Sequence, residues 1–433
     1  MFFYTFTFLH HRRMENYSVV LFILALMLIL SAIADKIRLP YPIILISAGI
    51  TIGFVPALPK VEINPEIIFL IFLPPLLYDA AFNISARQFK TNMSTITALA
   101  ISLVFFTVLG IAVFAHYCIP GMSWPLSFVL GAILSATDAV AAMSITKGLG
   151  LSHKTNTILE GESLINDASA LVAYRFAVAA VTGTAFVFWQ ASFEFALLLG
   201  GGVLTGMVMG KILAYIIEKI KDDAIVVISF MLIMPFVTYL TAEELHVSGV
   251  IAVVTLGLGI SRFSTKVFPE RIKSQSKSIW DIIIFLLNGL IFILIGLQFP
   301  YLLGSIDKTM ILPYIGYSFI ITIAILIIRM MRVFMQQAGL QNALKKGRRR
   351  ITKHALLDAK TSLIISWSGM RGIVSLAIAI GLPHKLGDGS PFPLRNEIIF
   401  ISVVVVLITL IGQGLTLPWL VKKLTKEEST EIS

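Results

Sequence analysis

The chain has 433 residues, of which 57% are hydrophobic and 13% charged, about half the roughly 25% charged share of an ordinary soluble domain. Its mean hydropathy of +0.90 excludes a water-soluble globular protein, and the basic residues behind its net charge of +10 sit in short loops, where they set membrane topology and do not point to nucleic acid. A lone cysteine, Cys118, excludes a disulfide framework or a thiolate metal cluster, and without HExxH, a Walker lysine loop or a dinucleotide glycine fingerprint no cofactor is expected.

Residues 1–16 form an N-terminal tail with His10, His11, Arg12 and Arg13, and Met14 offers a more ordinary start. The basic tail, the following apolar run and Ala32-Ile33-Ala34 resemble a signal peptide with its cleavage site. That apolar run is longer than a typical signal core, and its loss would upset the charge alternation of the loops, so a retained first helix is expected.

Apolar runs of about 20 residues then recur, each long enough to cross roughly 30 Å of hydrocarbon as a helix. They give about thirteen spans, beginning with Tyr17–Ala34, Pro42–Phe54, Pro65–Phe82, Ser94–His116, Pro125–Ile145, Thr155–Val181 and Phe193–Ile217. The remainder are Ala224–Thr241, Val247–Ser261, Ile279–Phe299, Ile311–Met331, Thr361–Leu382 and Glu397–Leu420. Few show period-2 alternation, which excludes a transmembrane barrel. The fold class is an all-α polytopic membrane protein.

Alternate loops are basic, from Lys36 and Arg38 through Lys147 and Lys154 to Lys422 and Lys423. The positive-inside rule puts them, and the C-terminus, in the cytoplasm. Between Gln336 and Lys360 lies the longest polar linker, with a Lys345–Arg350 cluster suited to anionic lipid. Residues 421–433 are expected to be a short cytoplasmic tail.

Against this background several charges stand out. Asp138 lies in Ser135-Ala136-Thr137-Asp138-Ala139, and Asp167 in Gly161-Glu162-Ser163-Leu164-Ile165-Asn166-Asp167. An ionised carboxylate at the centre of a membrane helix costs on the order of 2.5–3.5 kcal/mol on insertion scales. On the sixth span Glu162 and Asn166 share one helix face, and Ser163 and Asp167 an adjoining one. Together with Thr137 and Asp138 they offer the hydroxyl, amide and carboxylate oxygens that a hard alkali cation requires. Cations and protons compete for such oxygens, which is the chemistry of a cation/proton exchanger. A pair of structural carboxylates locked in hydrogen bonds suits Asp138 and Glu162 equally well, but suits Asp167 poorly.

Arg371 stands between Gly369 and Gly372 in the twelfth span, where the glycines allow the helix to break. Glu162 is its expected partner, in a bidentate pair that leaves Asp167 free to titrate. Arg175, about two turns beyond Asp167, is expected in a second structural ion pair. Asp79, after Pro74-Pro75, is a possible gate. The glycines at Gly202, Gly206 and Gly210 read as a close-packing helix face. His116, His153, His246 and His384 lack metal-ligand spacing.

These motifs resemble the monovalent cation/proton antiporter family, in its electroneutral, prokaryotic-type sodium/proton exchanger branch. The likeness extends from Leu73-Pro74-Pro75-Leu76-Leu77-Tyr78-Asp79 through Thr137-Asp138 and the Glu162–Asp167 segment to Phe285-Leu286-Leu287-Asn288-Gly289-Leu290, Trp367-Ser368-Gly369-Met370-Arg371-Gly372 and Gln413-Gly414-Leu415-Thr416-Leu417-Pro418. It implies two inverted six-helix repeats, with discontinuous helices crossing near the membrane midplane, in a homodimer. Residues 17–420 would form the exchanger domain, with scaffold and dimer spans at about 17–82 and 224–299 and transport-core spans at about 94–181 and 311–420.

By resemblance Asp167 is the ion- and proton-binding carboxylate, transported Na+ is held at Asp167, Ser163 and Thr137 with Asp138 beside them, and Glu162 and Arg371 form a buried pair. Asn166 stands where electrogenic relatives carry a second aspartate, which implies one cation exchanged for one proton. The substrates are Na+, with Li+ or K+ as alternatives, and H+, at the plasma membrane and in the service of pH homeostasis. A cation channel or a polytopic membrane enzyme or receptor is the alternative from another class, without a repeated filter motif or a catalytic constellation to support it. Two positions depart from the family pattern. Ala139 replaces the usual proline, which predicts less local unwinding, and Asp79 replaces the usual glutamate with a shorter reach.

Overall fold

Two of the expected spans are broken in mid-course, and the rest of the bundle is arranged around the breaks. The computed structural model describes residues 21–33, 41–55, 65–84, 86–146, 151, 153–182, 188–220, 223–345 and 358–430. The N-terminal tail 1–16, the basic loop residues Lys36, Arg38 and Lys147, and the Lys345–Arg350 cluster beyond the backbone of Lys345 lie outside the described residues.

The first half of the chain forms α1 (Leu21–Ile33), α2 (Tyr41–Gly53), α3 (Pro65–Asn83), α4 (Ala86–Cys118), α5 (Trp124–Ser135), α6 (Ala139–Thr146), α7 (His153–Val181) and α8 (Phe188–Ile220). The second half forms α9 (Ala224–Glu244), α10 (Gly249–Val267), α11 (Glu270–Ser305), α12 (Lys308–Lys345), α13 (Ala359–Trp367), α14 (Ile373–Ile380) and α15 (Arg395–Thr430). Among the described residues eight helices are long and apolar enough to cross a membrane, and α1, α2, α3 and α5 are shorter apolar helices. No strand occurs among them; a single bridge, Lys385 to Pro391, closes the loop between α14 and α15.

Every expected span holds one helix except the fifth and twelfth, which hold two each. The fifth unwinds at 136–138 between α5 and α6, and the twelfth at 368–372 between α13 and α14. Unwinding at the first break therefore does not need a proline after Asp138: Ala139 opens α6, and side-chain acceptors replace the lost helical bonds. The helices also outrun the apolar runs. α12 continues to Lys345 and α15 to Thr430, so the first part of the expected polar linker and most of the expected tail are helical.

Helix starts follow the sequence. Asp223 caps α9 by accepting from the Ile225 and Val226 amides, Ser248 caps α10 through Ile251, and Asp358 caps α13 through Thr361, each satisfying amides that a helix N-terminus leaves open.

Two packing groups result. α2 lies along α11, and α10 packs on α3, α8 and α9. α2 and α11 come so close that a Cβ at Gly49 or Gly296 would collide with the other helix's backbone. Glycines 202 and 206 of α8 meet the α10 backbone in the same way, as the small-residue spacing predicts. In the second group α4 packs on α5, α7 and α12, while α15 packs on α6, α12, α13 and α14. Large apolar side chains remain exposed along the outer faces, among them Leu204 and Tyr215 of α8 and Leu312 and Ile327 of α12. A soluble monomer does not show this on such a scale. This is a multi-pass helical membrane protein.

Candidate functional site

The two breaks meet. The Asp138 amide donates to the Met370 carbonyl at 2.9 Å, and the Ser375 hydroxyl donates to the Ala136 carbonyl at 3.3 Å. The second unwound segment thus supplies a backbone acceptor to the first, and a hydroxyl of α14 supplies a donor, as buried backbone groups require.

Four half-helix ends converge here, two positive and two negative. Asp138 serves the N-termini: its Oδ1 accepts from Ala141 of α6 at 2.9 Å and its Oδ2 from Ile373 of α14 at 3.4 Å. Gly372 permits this approach, since a Cβ there would fall on the Asp138 carboxylate. Arg371 serves the C-termini. Its Nε donates to the Leu134 carbonyl at the end of α5 and its Nη1 to the Gly369 carbonyl just beyond α13, both at 2.7 Å.

The expected pairing of Glu162 with Arg371 is therefore corrected. Glu162 is held by Arg329 of α12, Nη1 to Oε1 at 2.5 Å and Nη2 to Oε2 at 2.9 Å, and the Arg329 Nε donates to the Ile365 carbonyl. Both side chains of the pair are almost wholly buried, 1% exposed for Glu162 and 2% for Arg329. Arg329 was missed because it stands two residues from the end of an apolar run, where a basic residue reads as an interfacial anchor. The sequence signal available was Arg329-Met330-Met331-Arg332, with two cations on one helix face.

Asn166 ties this pair to the first break. Its Nδ2 donates to Glu162 Oε1 at 3.1 Å and to Thr137 Oγ1 at 3.0 Å. Ser163 pins the break from α7, donating to the Thr137 carbonyl at 2.6 Å and accepting from the Ala139 amide at 3.3 Å.

Asp167 is different. It is 9% exposed, its Oδ1 is buried with no hydrogen-bond partner, and among the described residues no ion pair reaches it. The Thr137 backbone of the first break lies beside it. A cavity of about 690 Å³ opens beside it, lined by Thr137, Asp138, Ser163 and Asp167 and, nearer the α6–α7 connection, by Thr146, Asn156 and Glu160. Asp79 and Asp281 line it from α3 and α11, with Asp79 accepting from Asn83 at 2.8 Å.

Of the expected site residues the structure thus brings Asp167, Asp138, Thr137 and Ser163 to one cavity and Asp79 to its wall. Glu162, Asn166 and Arg371 stand behind it. Arg175 lies apart, in an ion pair with Glu243 of α9 at 2.6 Å. Among the described residues no group of three or more His, Cys, Asp or Glu could hold a resident metal ion.

The family described as "Sodium/hydrogen exchanger, transmembrane" matches residues 21–423. An antiporter of Bacillus pumilus, named for sodium, potassium, lithium and rubidium/H(+), is 36% identical over 97% of this chain and 63% of its own length. The Na(+)/H(+) antiporter ApNhaP of Aphanothece halophytica is 35% identical over 95% of this chain and 75% of its own length. This chain spans 63% and 61% of the two Bacillus relatives it matches. Among solved structures, the sodium proton antiporter MjNhaP1 of Methanocaldococcus jannaschii superposes with a TM-score of 0.72 at 21% identity, covering 95% of this chain and 99% of that one; this establishes the fold. The chain belongs to the sodium/hydrogen exchanger family.

Proposed function

We propose that this protein is a secondary active antiporter that exchanges a monovalent cation for a proton across the plasma membrane. The observation that carries the reading is the state of Asp167. Asp138 is occupied by two helix N-termini and Glu162 by Arg329, whereas Asp167 faces the cavity with an oxygen that nothing completes. A cation can complete it, and so can a proton, but not both.

Asp167 holds the cation with Thr137 and Ser163 supplying neutral oxygens, and the N-terminal ends of α6 and α14 with Asp138 keep the surrounding field near balance. The second packing group, built on α4–α7 and α12–α15, carries the site as the transport core, and α1–α3 with α9–α11 form the scaffold. The division of contacts between the two groups supports this assignment. The cavity lies toward the α6–α7 connection, whose Lys147 and Lys154 mark the cytoplasmic side by the positive-inside rule. The Arg175–Glu243 pair joins α7 to α9 at the opposite end, which fits a path closed on the outside. With thirteen crossings the C-terminus is cytoplasmic. A homodimer acting in pH homeostasis completes the reading by family resemblance.

Sodium is the first cation, from the names of the family and of ApNhaP. Potassium is the second reading, because the Bacillus pumilus relative is named for it as well.

Asp167, with its open oxygen beside Asn166, predicts one cation per proton. Purified protein in proteoliposomes should acidify or alkalinise the lumen when sodium, lithium or potassium gradients are imposed, read with an entrapped pH dye. Clamping the membrane potential with potassium and valinomycin during sodium exchange should leave the equilibrium sodium distribution unchanged. A distribution that shifts with voltage would refute the electroneutral stoichiometry, and the absence of any cation-driven pH change would refute antiport.

A further inference from the structure

The segment Phe285-Leu286-Leu287-Asn288-Gly289-Leu290 of α11 has no role in the site described above, yet it reaches the same cavity. Asn288 is 2% exposed and lines the cavity together with Thr137, Asp138 and Asp167. Gly289 fixes this turn of α11, since a Cβ there would fall on Met27 of α1 and touch Leu45 of α2.

Tyr41, at the start of α2, lies beside Asn288. The Tyr41 ring is held by Phe285 and Phe292, at 6.0 and 6.4 Å between centroids, and the tyrosine lies within electrostatic reach of Asp138. Asn288 Oδ1 is buried with no protein partner. A buried amide oxygen without a donor is costly to leave unmet. A neutral carbonyl oxygen is also what a partly dehydrated alkali cation accepts in place of water.

We propose that Asn288 Oδ1 is a cation ligand on the α11 wall of the cavity, which replaces water on the incoming ion and helps determine which alkali cation is taken. The proposal rests on the antiport reading. It adds a neutral oxygen from the opposite packing group to the oxygens of Asp167, Thr137 and Ser163. A ligand contributed across the two groups is made when the cavity faces this side and is lost when the core moves, so the cation is held more tightly in one orientation.

The test uses the full chain, purified and reconstituted, with sodium, lithium and potassium chloride as probes. Asn288→Ala should raise the apparent KM for the preferred cation about tenfold, equivalent to about 1.4 kcal/mol, and narrow the differences among the three cations at near wild-type maximal rate. A readout independent of turnover is the upward shift of the melting midpoint by cation in detergent, which should need about tenfold more sodium in Asn288→Ala. Unchanged KM and an unchanged melting response would overturn the proposal, as would a loss of maximal rate alone, the mark of a purely structural role. Should Asn288→Ala not fold, the shape-conserving Asn288→Asp decides: a lower sodium requirement in the melting shift is expected, and an unchanged or higher one overturns the proposal. A wild-type protein that moves no protons under any cation gradient would defeat antiport itself, and the melting series would still report whether Asn288 binds the ion.

Discussion

Asp167→Asn should abolish cation-driven proton movement and leave the protein folded. The substitution conserves shape, and the oxygen it affects accepts no hydrogen bond from the protein, so little native structure depends on the carboxylate charge. The amide cannot take up or release a proton, and half of the transport cycle is removed with it. The variant should elute and melt like wild type in detergent while its proteoliposomes show background dye signal under sodium, lithium and potassium gradients. Wild-type-like flux from Asp167→Asn would remove this residue from the mechanism.

The second large effect is on stability, and it concerns Glu162 and Arg329. Two opposite charges with 1% and 2% exposure are tolerable together because the fork of the guanidinium matches both carboxylate oxygens. Removing one partner strands the other, which typically costs about 3–5 kcal/mol. Glu162→Ala and Arg329→Ala should therefore each lower the melting midpoint in detergent strongly. The double variant should lose much less than the sum, because neither charge is then left alone. The same cycle on Glu162 and Arg371 should show weaker coupling, since Arg371 is held by the Leu134 and Gly369 carbonyls. Additive losses for Glu162 with Arg329 would contradict the pairing.

Much of this architecture is legible in the sequence. Apolar runs of membrane-spanning length locate the helices to within a few residues in their hydrophobic parts, because burial in lipid demands them. The sequence is less informative about helix ends: α12 and α15 continue as helices into polar residues, where no hydropathy signal marks the boundary. Gly369 and Gly372 foretell the second break. The first break has no comparable marker, because Ala139 is compatible with a continuous helix and the chain is held open by Ser163 and Met370 from elsewhere, together with the break's own Asp138.

The carboxylates were readable for a simple reason: a membrane span does not carry Asp138, Glu162 and Asp167 without cause. Their partners were not. Arg371 could be satisfied by a carboxylate or by the bare carbonyls of broken helices, and sequence does not register carbonyls. Arg329 is bonded to a residue 167 positions away, and Arg175 to one 68 positions away. Such separations are fixed by tertiary packing and leave no local pattern. Asn288 was visible only as part of a motif; its place on the cavity wall depends on how α11 packs against the rest of the bundle.

The central claim is that a single carboxylate, Asp167, holds either a cation or a proton. It is tested most directly by measuring the apparent KM for sodium in proteoliposomes across a series of pH values, at saturating and limiting sodium. Competition predicts that below the pH at which Asp167 titrates the KM rises about tenfold per pH unit, because the ion requires the deprotonated ligand, while saturating sodium restores the full rate. A KM that stays constant as the maximal rate falls would contradict the account, since protons would then be acting at a site the cation does not occupy.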